Sequence, residues 1–145
     1  MCVTFIISYI YNGGQDMKAQ KHSRQRDAIL NFLKTRKDHP TAEVVYTNVR
    51  EIYPKISMGT VYRNLNLLAS NGDILKISLE DDSAHFDGFT HPHSHFFCKT
   101  CKCLVDIELS RLQMDYIKNI AAECFDGEIQ SQMSIFYGIC KDCQN

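Results

Sequence analysis

The sequence predicts an α+β protein: an N-terminal winged helix-turn-helix followed by a small α/β dimerisation domain. Three observations predict it. Three short segments with helical periodicity, separated by prolines, are followed by a stretch that alternates with period two. The charge reverses between the halves: 11 Lys/Arg against 5 Asp/Glu from Met17 to Leu79, then 5 against 11 from Glu80 to Asn145. Two Cys-x-x-Cys pairs bracket a further helix and strand. The total of 145 residues suffices for one ordinary domain or two small ones.

The first helix is predicted over about Ser23–Arg36, with Ile29, Leu30 and Leu33 on one face and Ser23 as N-cap. His39-Pro40 breaks the chain, because proline disfavours helix at the residue before it. The second helix starts after Thr41 as cap, carries Val45, Val49 and Ile52 at i, i+4, i+7, and stops at Pro54. Ser57 caps the third, whose stripe is Met58, Val61, Leu65 and Leu68, and Asn71-Gly72 ends it through a left-handed residue. The polar face of this third helix carries Thr60, Arg63 and Asn64, with Tyr62 nearby. Such residues near a helix N-terminus reach phosphates and base edges in a major groove, and a basic half suits a polyanion.

ILKISL reads as a strand, with Leu75, Ile77 and Leu79 inward and Ile74, Lys76 and Ser78 outward. HFDGF returns as its partner, completing a wing; the competing reading is a generic small helical domain. HSHFF and CLVDIEL are short strands on either side of the CKTC knuckle. SRLQMDYIKNIAAECF is a helix capped by Ser110, with Leu112, Tyr116, Ile117, Ile120 and Cys124 on one face, and Asp126-Gly127 ends it. EIQSQMSIFYGI reads as a long strand. So small a unit gains from pairing with a second copy. The predicted domains are residues 17–88, a hinge at 89–92, and 93–145.

Residues 1–16 are expected to be a non-native or disordered extension. MCVTFIISYIYNGG lacks a basic n-region and a small-residue cleavage site, so it is a poor signal peptide. Gly13-Gly14 lies shortly before Met17, where a ribosome-binding site read as protein would fall; the alternative is a real strand or anchor. No apolar run is long enough to span a bilayer. With seven cysteines and no secretory signal, reduced thiols in the cytoplasm are expected, not disulfides.

Two ligand sets emerge. Cys98-x-x-Cys101 and Cys140-x-x-Cys143 each place two sulfurs on one side of a knuckle, and four soft thiolates suit structural Zn²⁺. The gap between the pairs is longer than in common zinc ribbons, and two unconnected thiol pairs are the competing reading. Cys103 is left over; Cys124 reads as a packed core thiol. The second set is His93-x-His95, on one side of a strand, with Asp87 and Asp106 near in sequence. Imidazole and carboxylate together suit Fe²⁺, Mn²⁺ or Zn²⁺.

SRQRDAIL, HPTAEVVY, SMGTVYRNL, HFDGF, HPHSHFFCKTC, LVDIE and YGICKDC stand in the order of the ferric uptake regulator family, which the chain resembles from Lys21 to Cys143. It resembles most its peroxide-sensing branch. The resemblance implies a regulatory Fe²⁺ or Mn²⁺ site of His39, Asp87, His93, His95 and Asp106, and a structural Zn²⁺ site of Cys98, Cys101, Cys140 and Cys143. It implies DNA contacts from Tyr62 and Arg63. Asp rather than Glu at position 106 is the mark of the peroxide-sensing branch. Two departures stand out: Lys102 replaces a common glycine, followed by the extra Cys103, and the last strand has no histidine. His85 and His91 receive no role and are read as exposed.

The implied function is a metal-dependent repressor that binds double-stranded operator DNA as a homodimer. It senses peroxide by iron-catalysed oxidation of His39 or His93, with no other small-molecule substrate, no membrane partner and no enzymatic activity. The alternatives are an iron or zinc uptake regulator of the same fold without peroxide sensing, a metallohydrolase using the His-x-His pair, and a zinc-stabilised interaction module that does not bind DNA.

Overall fold

The computed structural model describes residues 23–80 and 83–144. The extension 1–16 and part of the wing turn lie outside the described residues. Helices α1 (Arg24–Lys34), α2 (Ala42–Ile52) and α3 (Met58–Ser70) pack on one another. Their shared core is Ile29, Leu33, Ala42, Val45, Val49, Ile56, Val61, Leu65 and Leu68, closed by Ile74 and Phe86 from the wing side.

The caps divide into two kinds. Ser57 accepts the Thr60 amide at 3.1 Å and Ser110 accepts the Gln113 amide, both caps as the sequence predicts; the Gln113 side chain adds the second half of a capping box. Ser23 and Thr41 have extended cap backbones but make no side-chain cap bond. Thr41 turns its hydroxyl to Glu43 and joins its backbone to His85. α3 closes as expected: Gly72 has φ 77°, its N–H donates to Ala69, and the Asp73 N–H donates to Leu68, a Schellman motif. α1 stops at Lys34 rather than Arg36.

Strands β1 (Leu75–Ser78) and β2 (Ala84–Asp87) pair antiparallel, with Leu75 opposite Asp87 and Ser78 opposite Ala84. Strands β3 (Ser94–Cys98), β4 (Leu104–Ile107) and β5 (Ile135–Gly138) form a second sheet in the order β4-β3-β5. β3 is antiparallel to β4 and parallel to β5, and α4 (Arg111–Glu123) lies in the connection that this parallel pair requires. The wing is fastened to this sheet: Ile77 and Leu79 share a core with Phe97 and Leu104.

Several expectations are corrected. Ile52 is 67% exposed, because Ile56 beyond Pro54 fills the next core position. Ile74 is buried, not outward, because it precedes the strand and packs under the helices. The last strand is four residues long, since β3 offers partners only from His95 to Cys98. α4 ends at Glu123, before Asp126-Gly127. None of the described residues covers its apolar face, with Leu112 82% and Tyr116 67% exposed, and Cys124 is exposed rather than a core thiol.

One glycine sets the spacing between α1 and the end of β2. A Cβ on Gly88 would lie 2.7 Å from backbone atoms of Leu33 and Lys34, which cannot swing away as a side chain would. Gly88→Ala should therefore destabilise the protein by about 1–3 kcal/mol, an overpacking cost. A melting curve showing an unchanged midpoint would contradict this.

Candidate metal centres and recognition helix

The α1–α2 connection is laid onto β2 by three backbone-level ties. Phe86 N–H donates to the Pro40 carbonyl at 3.1 Å, Thr41 bridges to His85, and His85 Nδ1 donates to the His39 carbonyl at 2.6 Å. His39 itself is left-handed, with φ 42°, a region that histidine tolerates better than most residues. The result is that His39, 1% exposed, comes down over Asp87 at the end of β2.

The other ligands come from the second sheet. His95 on β3 sits directly opposite Asp106 on β4, so the two share a face. His93 lies two residues before His95, on the same side by strand alternation. One atom from each of His39, Asp87, His93, His95 and Asp106 falls within 4.8 Å of all the others. His93 Nε2 is 3.0 Å from both Asp87 Oδ2 and Asp106 Oδ1, and His39 Nε2 is 2.6 Å from Asp106 Oδ1.

This constellation fits a cation. His39 Nδ1, Asp87 Oδ2, His93 Nε2, and both ring nitrogens of His95 are buried without a hydrogen bond. Such orphaned polar atoms are costly, and a bound ion satisfies several together. The outer contacts orient the lone pairs: His93 Nδ1 donates to the His91 carbonyl at 2.8 Å, leaving Nε2 for the centre. Asp87 Oδ1 accepts the Phe89 N–H at 2.8 Å, leaving Oδ2. Burial opposes ionisation of Asp87, but the His95 ring, the Phe89 N–H and the nearby His39 and His93 outweigh it. The carboxyl is held below its ordinary range.

His85 was read from sequence as exposed; it is 6% exposed. Its signal was available only as the alternation of β2, which puts His85 and Asp87 on one face. Replacing it removes the tie on the His39 carbonyl, so His85→Ala should weaken metal binding about 10–100-fold, as loss of an orienting contact does. Isothermal titration with Mn²⁺ measures this; wild-type affinity would refute the orienting role. His91 is exposed, as expected, and lines a cavity of about 300 Å³ with Lys37, Phe89, His93 and Asp106.

The four cysteines also converge, with one sulfur from each of Cys98, Cys101, Cys140 and Cys143 within 4.8 Å of the others. Topology explains it: β5 runs parallel to β3 with Gly138 opposite Cys98, so Cys140 emerges beside the first knuckle. The Cys101–Cys140 sulfur separation is 3.8 Å. A tetrahedral ion with metal–sulfur bonds of about 2.3 Å requires edges of about 3.8 Å. The backbone N–H groups of Cys101 and Cys140 hold the Cys98 thiol down to about 6. Contact with Cys140, together with burial, pushes Cys143 up to about 12. Lys102 takes the left-handed conformation a glycine would occupy, φ 62°, so the knuckle keeps its shape at a cost of about 1–2 kcal/mol.

On α3, Tyr62 and Arg63 are exposed and Thr60 is half-buried. Tyr62 Oη donates to Glu43 at 3.0 Å. Asn64, read as part of the outward polar face, is instead buried and donates to the Thr60 carbonyl. Among the described residues no helix is long and apolar enough to cross a membrane.

Known proteins are similar to this chain in sequence and in fold. The family model described as the ferric uptake regulator family matches residues 17–137. The peroxide-responsive repressor PerR of Staphylococcus saprophyticus subsp. saprophyticus is 36% identical over 121 residues, spanning 83% of this chain and 80% of its own. The Campylobacter jejuni peroxide stress regulator superposes with a TM-score of 0.71 at 26% identity, covering 82% of this chain and 88% of that one. The Helicobacter pylori ferric uptake regulator Fur shares the fold, with a TM-score of 0.74 at 21% identity over 86% and 83% of the two chains. The chain therefore belongs to the ferric uptake regulator family of metal-responsive transcriptional regulators.

Proposed function

We propose that this protein is a cytoplasmic metal-dependent repressor that binds double-stranded operator DNA as a homodimer and loses DNA when peroxide oxidises its regulatory site. The observation that carries the reading is where the five ligands come from. His39 belongs to the α1–α2 connection, Asp87 to the wing, and His93, His95 and Asp106 to the second sheet and the segment entering it. These residues would hold Fe²⁺ or Mn²⁺, and their convergence ties the helical half to the sheet. A ligand that prefers this closed arrangement shifts the population toward it. In a dimer, that sets the spacing of two α3 helices, from which Thr60, Tyr62 and Arg63 would meet DNA. The boundaries proposed are residues 17–88 for the DNA-binding part, 89–92 for the hinge and 93–145 for the dimerisation part.

The uncovered face of α4 supports the dimer. Leu109, Leu112, Tyr116, Ile117 and Phe136 line an open apolar groove of about 550 Å³, and Leu112 and Tyr116 in it are 82% and 67% exposed. Cys98, Cys101, Cys140 and Cys143 would hold structural Zn²⁺ and tie the end of β5 to β3.

Held by His39, Asp87, His93, His95 and Asp106, Fe²⁺ would supply electrons to peroxide, whereas Mn²⁺ would occupy the same residues and react poorly. His93 lines the 300 Å³ cavity and is the ligand histidine most open to solvent, at 11% of its side chain, against 0% for His39 and His95. The imidazoles of His39 and His93 are the groups proposed to become oxidised; a ring so altered no longer orients its lone pair, and the tie between halves is lost. Asp106, hydrogen-bonded to His39 and opposite His95, keeps a short carboxylate close to both. The peroxide-responsive relatives support this branch, while uptake regulators such as the Helicobacter pylori Fur share the fold.

The deciding experiment is mass spectrometry of His39 and His93 after peroxide, with Fe²⁺ or Mn²⁺ bound, alongside a DNA mobility shift. Oxygen addition and DNA release are expected with Fe²⁺ only. Asp106→Glu should keep metal-dependent DNA binding while lowering the rate of histidine oxidation at least about tenfold, because the extra methylene displaces the carboxylate from its place beside His39 and opposite His95. Undiminished oxidation in that variant would favour uptake control.

A further inference from the structure

A fifth thiol stands against the four-cysteine cluster and is not one of its corners. Cys103 Sγ is 3.2 Å from Cys101 Sγ. That is shorter than the edge of about 3.8 Å that two sulfurs on one tetrahedral ion would keep, so Cys103 touches Cys101 instead of sharing the ion. The loop holds the pair there. Lys102 between them is left-handed, its N–H donates to the Cys98 carbonyl at 2.9 Å, and the Cys98 N–H donates to the Cys103 carbonyl at 3.0 Å. Cys101 is also the exposed member of the four, with Cys98 buried and Cys140 and Cys143 half-buried. A soluble oxidant meets Cys101 first, with a second sulfur already in place.

We propose that Cys103 is the resolving thiol for Cys101, so that hydrogen peroxide converts the pair to a disulfide and opens the four-cysteine site. This rests on the reading that those four cysteines hold zinc, which keeps Cys101 as a thiolate. The thiolate attacks the O–O bond, takes one oxygen as sulfenic acid and releases hydroxide. Cys103 gives its proton to that hydroxide, and its sulfur attacks the Cys101 sulfur, expelling the added oxygen as hydroxide. The two sulfurs lose two electrons, the peroxide gains them, and the products are one disulfide, one water and one hydroxide. Zinc then keeps three of its four sulfurs. The consequence is a second, thiol-based response in the same chain, independent of the histidine site.

The test uses the full chain carrying Zn²⁺, with Mn²⁺ supplied in place of iron so that histidine oxidation is silent. After peroxide, trypsin cleaves at Lys99 and Lys102. The expected product joins the segments 100–102 and 103–111 through sulfur, two hydrogens lighter than their sum. Zinc release, followed with a chromophoric chelator, should be about tenfold slower in Cys103→Ser, which has no neighbouring sulfur to trap the sulfenic acid. A zinc-loaded wild-type chain whose disulfide joins Cys98 to Cys101, or Cys140 to Cys143, would overturn the proposal. So would equal zinc release in Cys103→Ser. A chain that holds no zinc before treatment would overturn the four-cysteine reading and the proposal with it.

Discussion

Cys98→Ser is expected to strip zinc from the protein and split the dimer. Cys98 is fully buried at the end of β3, and its sulfur accepts the Cys140 N–H at 3.4 Å. It is thus both a corner of the sulfur cluster and the point where the C-terminal knuckle docks. A hydroxyl is a poor zinc ligand, and three remaining sulfurs hold the ion far less tightly. Structural zinc contributes on the order of 10 kcal/mol in small domains, and the β4-β3-β5 sheet with one helix has little else to close it. The loss of a substantial part of that contribution, at least about 3 kcal/mol, should lower the melting midpoint by roughly 10 °C. β5 would then detach from β3, and the face of α4 and Phe136 proposed to meet a second copy would lose its shape. Elemental analysis and analytical ultracentrifugation check both parts. A zinc-free variant that remains a stable dimer would refute the structural role.

His95→Ala is expected to abolish the response of DNA binding to Mn²⁺ or Fe²⁺ while leaving the fold intact. His95 is central to the regulatory cluster: fully buried, 4.4 Å ring to ring from His93, 4.9 Å from His39, and opposite Asp106. Its removal deletes one ligand and leaves Asp87 and Asp106 facing a reduced set of imidazoles. Metal affinity should fall by more than the roughly 100-fold associated with losing an outer orienting contact. DNA affinity should then stay at its metal-free level, since a ligand shifts an equilibrium only by its differential affinity. Mobility shifts across a Mn²⁺ titration, with circular dichroism as the fold control, measure this. A wild-type Mn²⁺ response would exclude His95 from the site.

Much of the fold was legible because its signals are local. Helix α3 is marked by Ser57 at its start and Asn71-Gly72 at its end, and both act through hydrogen bonds within a few residues. Ser110 and Gln113 do the same for α4. Ser23 and Thr41 have the right residue types, yet neither side chain caps; the Thr41 hydroxyl goes to Glu43 instead. Burial was less legible than periodicity. Ile74 and Ile52 exchanged their expected places because the core is filled by whichever apolar residue the connection brings to it. The stripe on α4 is legible as apolar, but none of the described residues covers it.

The sites divide along the same line. His93-x-His95 and the two Cys-x-x-Cys pairs declare themselves by spacing, because strand alternation and tight knuckles fix where neighbouring side chains point. His39 was assigned through family resemblance, since it lies 48 residues before Asp87 and has no local pattern to mark it. His85, the residue that holds the His39 carbonyl, has no local signal of that role, because its importance depends on the α1–α2 connection lying along β2. Nothing in the spacing of Cys103 announces its 3.2 Å approach to Cys101. The sequence by itself determined the helices, the knuckles and the charge reversal, all properties of residues within one or two turns of each other. The tertiary structure alone decided which distant residues meet, because parallel β3–β5 pairing and the stitching of Pro40 to Phe86 are long-range backbone contacts that no local pattern encodes.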